Sequence, residues 1–383
     1  MKFNRNEWSG AFGDIGTDFP LLVGMVLASG LDPACVLTVY GVMQVMTGII
    51  YRRPMPVQPL KAVAVLVITQ KLSADTIYGA GLAIALVMLA LTVSGSLSWL
   101  ARHIPKSVVR GVQLGLGINL ALLALKDYLP RDGVVGYVWG GCIFVLILVL
   151  LKNRRFPAAL AAILLGLVYA FTFKINAAGL PTGQAGLTSA FGFHWPALRM
   201  PGWGAVGTGF ILLALPQIPL SLGNSILATR QLNEDLFPER PLTINKIGWT
   251  YTLMNIVSPL FGGVPVCHGS GGMMGHYTFG ARTGGSLLIY GGMYLLLGLF
   301  FSRAFAQVVQ IFPMPVLAAI LFVEALSLMM LIRDLSSDRA GLWVACMVGL
   351  MACALPYGFI VGMAAGVIVE LFFRKNLVSA RDA

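Results

Sequence analysis

Charge is what this chain has least of. Only 11% of its 383 residues are Asp, Glu, Lys or Arg, where a soluble domain carries about a quarter. With 57% hydrophobic residues besides, that shortage excludes a soluble protein and leaves no stretch for a separate soluble domain. Cysteine is also scarce: Cys35, Cys142, Cys267, Cys346 and Cys353 lie in or beside apolar segments, and no two form a Cys-x-x-Cys pair. Neither a disulfide framework nor a zinc site is expected. The first apolar segment lacks the uninterrupted core and small-residue cleavage site of a signal peptide, since it contains Asp14 and Asp18. It reads as a membrane span. The formal net charge of +11 would suggest nucleic acid in a soluble protein. In a polytopic membrane protein, basic residues collect on cytoplasmic loops instead.

Apolar segments are expected at 8–29, 32–51, 57–70, 77–100, 107–125, 134–151 and 157–173, then at 203–229, 243–260, 266–281, 284–302, 313–332, 340–355 and 357–373. The chain thus divides into a first repeat (1–173), a linker loop (174–202) and a second repeat (203–383), with seven spans in each repeat. With the N-terminus inside and the spans alternating, 19 Lys and Arg residues fall inside, 6 fall outside, and Lys61 stays within the membrane. This bias places both termini in the cytoplasm. Seven is odd, so the second repeat enters the membrane inverted. Inverted repeats with helices broken at matching places mark secondary transporters whose site lies between the repeats. The expected location is a bacterial inner membrane.

Two stretches break the apolar pattern. Gly263 to Arg282 is rich in glycine, holds His268 and His276, and has no run of Leu, Ile or Val. Pro56-Val57-Gln58-Pro59 falls on Pro265-Val266-Cys267-His268 at an offset of 209 positions. Unpaired backbone in hydrocarbon costs several kcal/mol, so each stretch makes sense as an extended lead-in to a half-helix facing a protein-lined cavity. A helix from Pro59 to Gln70 would be roughly 18 Å long at 1.5 Å per residue, about half of a ~30 Å hydrocarbon core. Bare N–H groups at two such N-termini suit an anion. The candidate substrate site is therefore Gln58, Pro59, Leu60 and Lys61 on one half-helix, and His268, Gly269, Ser270 and Gly271 on the other. The competing reading is that these glycines and prolines only allow close helix packing.

Lys61, within the membrane, would attract the anion, pair with a carboxylate, or snorkel to water. Asp14 and Asp18 are four apart; they would pair with Lys61, couple transport to protons, or cap a broken first span. Gly13-Asp14-Ile15-Gly16 is set against Pro216-Gln217-Ile218-Pro219. Gln217 would then reach the substrate from the opposite repeat. Gln44 and Asn224 suit either substrate contact or interhelical hydrogen bonds, and Glu324 a coupling or gating role. His268, His276 and Cys267 match no metal-ligand spacing, and Cys267 beside His268 has no third group to make a nucleophile. No metal, cofactor or enzymatic activity is expected.

Pro54-Met-Pro-Val-Gln-Pro-Leu-Lys61 and Phe261 to Gly284 resemble the two signature motifs of the molybdate transporter family, a branch related to the sulfate permeases. The opening Glu7-Trp-Ser-Gly-Ala-Phe-Gly-Asp-Ile-Gly-Thr-Asp-Phe-Pro20 resembles it too. The resemblance implies an all-α fold of fourteen spans as inverted repeats, shared with sulfate and uracil permeases. It also implies a core domain (spans 1–4 and 8–11), a gate domain (spans 5–7 and 12–14) and transport of a tetrahedral oxyanion. Molybdate comes first among candidates and sulfate or tungstate next, with alternating access, proton or sodium coupling and a homodimer through the gate domain as expectations. A nucleobase or carboxylate transporter of the same fold, or an anion channel, is the alternative.

Overall fold

The structure, a computed structural model, describes residues 1–97, 99, 105–150, 158–171 and 191–379. Most of the linker expected at 174–202 lies outside these residues, as do the loop charges Arg102, Lys152, Arg154, Arg155, Lys174 and Arg381.

All fourteen expected apolar segments contain helix. In the first repeat these are α1 (Arg5–Ala11), α2 (Ile15–Ser29), α3 (Pro33–Tyr51), α4 (Lys61–Gln70), α5 (Ala74–Val93), α6 (Lys106–Leu123), α7 (Gly133–Leu150) and α8 (Ala158–Tyr169). The second repeat holds α9 (Trp203–Leu236), α10 (Ile244–Leu260), α11 (Ser270–Thr278), α12 (Gly285–Phe300), α13 (Ser302–Ile311), α14 (Met314–Met330), α15 (Arg339–Ala354) and α16 (Gly358–Ser379). Among the described residues, five helices are long and apolar enough to cross a membrane alone, or up to seven if each bent pair counts as one span.

Local chemistry starts and stops these helices. Asp32 caps α3 by accepting from the Ala34 N–H, with Pro33 in the first turn, and Thr243 caps α10 by accepting from the Lys246 N–H. The first span breaks between α1 and α2 by 40°. Helix α9 carries Pro216 and Pro219 and winds loosely, with i→i+5 hydrogen bonds, over Phe210–Ala214 and Ser221–Ala228. Proline leaves a carbonyl without its N–H donor, and π-stretches, which shift the register of the surrounding hydrogen bonds, occur often at functional sites.

The repeats interlock rather than lie side by side. Helix α3 packs along α12, and its counterpart α10 packs along α5. Gly41 and Gly291 let α3 and α12 approach closely: a Cβ on either would stand 2.7–2.8 Å from the other's carbonyl oxygen. Helix α6 packs on both α14 and α15 beside this body. One element departs from expectation. Residues 303–312, read as a loop, lie largely in α13, which turns 93° from α12 and buries Phe305 and Val309. A ten-residue amphipathic helix has too short an apolar run to register as a span.

Candidate functional site

The site grows from two short strands. β1 (Val57–Pro59) pairs antiparallel with β2 (Val266–His268), matching Val57 with His268, Gln58 with Cys267 and Pro59 with Val266. At the 209-residue offset Gln58 corresponds to Cys267, so the central pair joins equivalent positions of the two repeats. A local two-fold axis passes between them. The helices that follow obey the same offset, α4 starting at Lys61 and α11 at Ser270. At 1.5 Å per residue each is roughly 15 Å long, a half-helix whose N-terminus begins beside the strand pair.

Paired carboxamides hold the strands. Gln44 donates to the Val57 carbonyl at 2.7 Å and accepts from the Val57 N–H at 3.1 Å. Asn255 does the same for Val266, at 2.6 and 2.9 Å. The helices behind repeat the symmetry. Tyr40 donates to the Asp18 carboxylate, and Tyr251 shares a 2.7 Å bond with the Ser221 hydroxyl. Tyr40 and Asp18 are therefore the counterparts of Tyr251 and Ser221, and Asp14 that of Gln217, as the alignment of Asp14 on Gln217 requires.

Chemistry breaks this symmetry. Gln217 accepts from the Ala62 N–H at 2.9 Å, capping α4 from the opposite repeat, and donates to Ser221 at 3.0 Å. Asp14 instead receives both bonds of the Gln58 amide, at 2.7 and 2.8 Å. To do so the Gln58 side chain lies across Gly269, where any Cβ would collide with it, and Asp14 lies against Gly272. Lys61 pairs with Glu324 of α14 at 2.6 Å. Neither Asp14 nor Asp18 takes that ammonium: Asp18 is fully buried and bonded to Tyr40, with Tyr290 at 3.4 Å.

Gln58, Lys61, Gln217, Asn224, Ser225 and Cys267 line a small cavity closed on its far side by Gln113, Leu116 and Leu328. Gln113 and Asn224 also border a vestibule of about 700 Å³ whose wall includes Lys106, Arg110, Arg230 and Ser270. The Ser270 hydroxyl donates to Asn224 at 2.9 Å. Gly271 stands beside it with open space where a Cβ would go.

Three of the candidate residues serve as scaffold here. The Leu60 side chain is buried and its N–H donates to the Pro265 carbonyl at 3.0 Å, so strand pairing has taken that donor. Pro59 has no N–H and sits within β1. The His268 ring turns away from the cavity, bonding Thr250 at 2.8 Å and packing edge-on against Tyr51. His276 is buried elsewhere, against Tyr290. Gln113 and Ser225 of the cavity and the clamp residue Asn255 were not anticipated. Gln113 and Asn255 carried the signal of an amide inside an apolar span; for Tyr40 and Tyr251 no such signal exists.

A family profile described as "Molybdate transporter of MFS superfamily" matches residues 6–120 and 209–328, more than half of the chain. The chain belongs to the molybdate transporter family. "Molybdate transporter 2" of Arabidopsis thaliana is 30% identical over 420 residues, covering 96% of this chain and 87% of that protein. "Molybdate transporter 1" of Chlamydomonas reinhardtii is 27% identical, covering 96% and 92%. In architecture the chain is similar to the transmembrane domain of the cyanobacterial bicarbonate transporter BicA (TM-score 0.67, 18% identity, covering 96% of this chain and 98% of that one). It is similar also to SLC26A9 (TM-score 0.70, 12% identity, covering 96% and 65%). The family and the fold make this molybdate transporter family member a polytopic membrane transporter.

Proposed function

We propose that the chain carries a tetrahedral oxyanion, molybdate before sulfate or tungstate, by alternating access, holding it between the N-termini of α4 and α11. The observation that carries this reading is the strand pair. It sets the starts of two half-helices, Lys61 and Ser270, around one local two-fold axis. Each N-terminus offers roughly half a positive charge. In the reading, Lys61, Ser270 and the N–H groups of Gly271 and Gly272 replace the water the anion sheds, and Gln58, Gln217 and Asn224 bound it. Gly269 leaves room for Gln58 to lie across the site.

The core domain comprises α1–α5 with α9–α12 and the gate domain α6–α8 with α14–α16. The anion travels with the core. The basic vestibule rim of Lys106, Arg110 and Arg230 draws anions inward. Those residues lie on the side that collects most Lys and Arg, which supports cytoplasmic termini; a bacterial inner membrane belongs to the same proposal. Asp14 and Asp18 are the proposed sites of proton or sodium coupling. A homodimer through the gate domain belongs to the same proposal; α7 turns Val134, Val138, Val145 and Val149 outward.

The experiment is thermal stabilisation of the purified protein by molybdate, tungstate and sulfate, repeated with Ser270→Ala and Lys61→Ala. Stabilisation by molybdate at much lower concentration than sulfate, weakened in both variants, is expected. No response to any of the three would refute the oxyanion reading.

A further inference from the structure

The Lys61 ammonium lines the cavity, yet it is already occupied. Its partner, Glu324 Oε1, stands at 2.6 Å on α14, a helix of the opposite repeat. Glu324 has no other hydrogen bond among the described residues, whereas Asp14 is bonded to Gln58, and Asp18 to Tyr40 and Tyr290. The pair is not sealed: the Lys61 side chain keeps 26% of its surface exposed and Glu324 12%. It lies at the first residue of α4, where the helix presents its positive end. A carboxylate and an oxyanion ask for the same donors there. A lysine has three N–H donors and room for two acceptors, but a dianion and a carboxylate on one ammonium would repel each other at such close range.

We propose that Glu324 is a resident counter-anion, holding Lys61 while the site is empty and giving it up when substrate arrives. Binding is then an exchange of one anion for another. The exchange unfastens α14 from α4, because this ion pair joins the two helices across the cavity wall. It also explains why an empty carrier does not leave a bare ammonium in the membrane, which would be costly. The Ser270 end needs no such partner, since its hydroxyl is neutral and satisfied by Asn224.

This inference rests on the oxyanion reading, and the test separates the two. Molybdate affinity is measured by calorimetry on the purified full chain as wild type, Glu324→Gln and Glu324→Asp. Glu324→Gln removes the competitor and is expected to bind roughly fivefold or more tightly, the lower edge of ordinary coupling between two ligands. Glu324→Asp keeps the charge but falls one methylene short of Lys61, and is expected between wild type and Glu324→Gln. If Glu324→Gln fails to fold, the aspartate variant carries the comparison alone. Wild-type affinity in Glu324→Gln, or weaker, overturns the exchange. So does an aspartate variant identical to wild type, which reduces Glu324 to a distant field. A wild type that binds none of molybdate, tungstate and sulfate overturns the oxyanion reading and the exchange with it; a wild type that binds, with unaltered variants, overturns the exchange alone.

Discussion

Gln58 and Cys267 face each other at the centre of the strand pair, equivalent positions of two repeats meeting on their own symmetry axis. The carboxamide clamp at this junction is doubled, and the doubling makes a prediction. Gln44 and Asn255 each satisfy one buried N–H and one buried carbonyl of a strand residue. Replacing Asn255 by Leu strands both Val266 groups, whereas replacing Gln44 strands the Val57 N–H and leaves its carbonyl within 2.6 Å of the Tyr40 hydroxyl, each stranded group costing about 1–3 kcal/mol. Gln44→Leu and Asn255→Leu should therefore both lower the melting temperature of the detergent-solubilised protein, Asn255→Leu by more, with or without anion. A melting temperature unchanged in either variant would show that the clamp is dispensable.

The half-helices were legible because their lead-ins carry proline, glycine and glutamine where lipid demands an unbroken helix. Their shared offset was legible because both copies kept a Pro-Val step, Pro56-Val57 and Pro265-Val266. The partner of Lys61 was not. Glu324 lies 263 positions away on another repeat, and no local pattern reports a pairing that only the interlocked fold creates. Spacing likewise gave His268 the same standing as Ser270. The strand turns alternate side chains to opposite faces, and that sends the His268 ring to Thr250 and Tyr51 instead of the cavity.

The glycines of the second half-helix separate packing from binding. A Cβ at Gly269 would meet the Gln58 amide and one at Gly272 the Asp14 carboxylate, whereas one at Gly271 would meet nothing within 4 Å. Gly269→Ala and Gly272→Ala should lose both folded yield and anion binding. Gly271→Ala should keep wild-type yield and melting temperature but weaken molybdate binding, since its methyl group would stand beside the N–H groups proposed to hold the anion. Titration of the folded Gly271→Ala protein decides the point; wild-type affinity would remove this helix end from the site.

Glu7 anchors the N-terminal helix to the far repeat. Its carboxylate accepts from the N–H groups of Arg282, Thr283 and Ser286, each at 3.0 Å, at the start of α12. Charge-assisted bonds at a helix N-terminus are worth more than neutral ones. Glu7→Ala, leaving these donors unpaired, should cost on the order of 2–4 kcal/mol and appear as a lower melting temperature with anion affinity nearly intact in the protein that remains folded. Equal melting temperatures for wild type and Glu7→Ala would contradict this anchoring.

Asp18 tests coupling with little risk to the fold, and the symmetry says why. Its counterpart Ser221 bonds Tyr251 as Asp18 bonds Tyr40, so the architecture accepts a neutral group at this place. Asp18 Oδ1 is buried and, among the described residues, has no partner. That leaves one oxygen able to take a proton without breaking the Tyr40 bond. If Asp18 carries a proton with the substrate, wild-type uptake falls as pH rises and protons become scarce. Asp18→Asn, fixed in a neutral form, should reach the membrane in normal amount and show a flattened pH profile. Ser221→Ala should leave the profile as it is. Uptake by Asp18→Asn that follows the wild-type profile would remove Asp18 from coupling and leave Asp14, held by Gln58, as the remaining carboxylate of the first span able to serve.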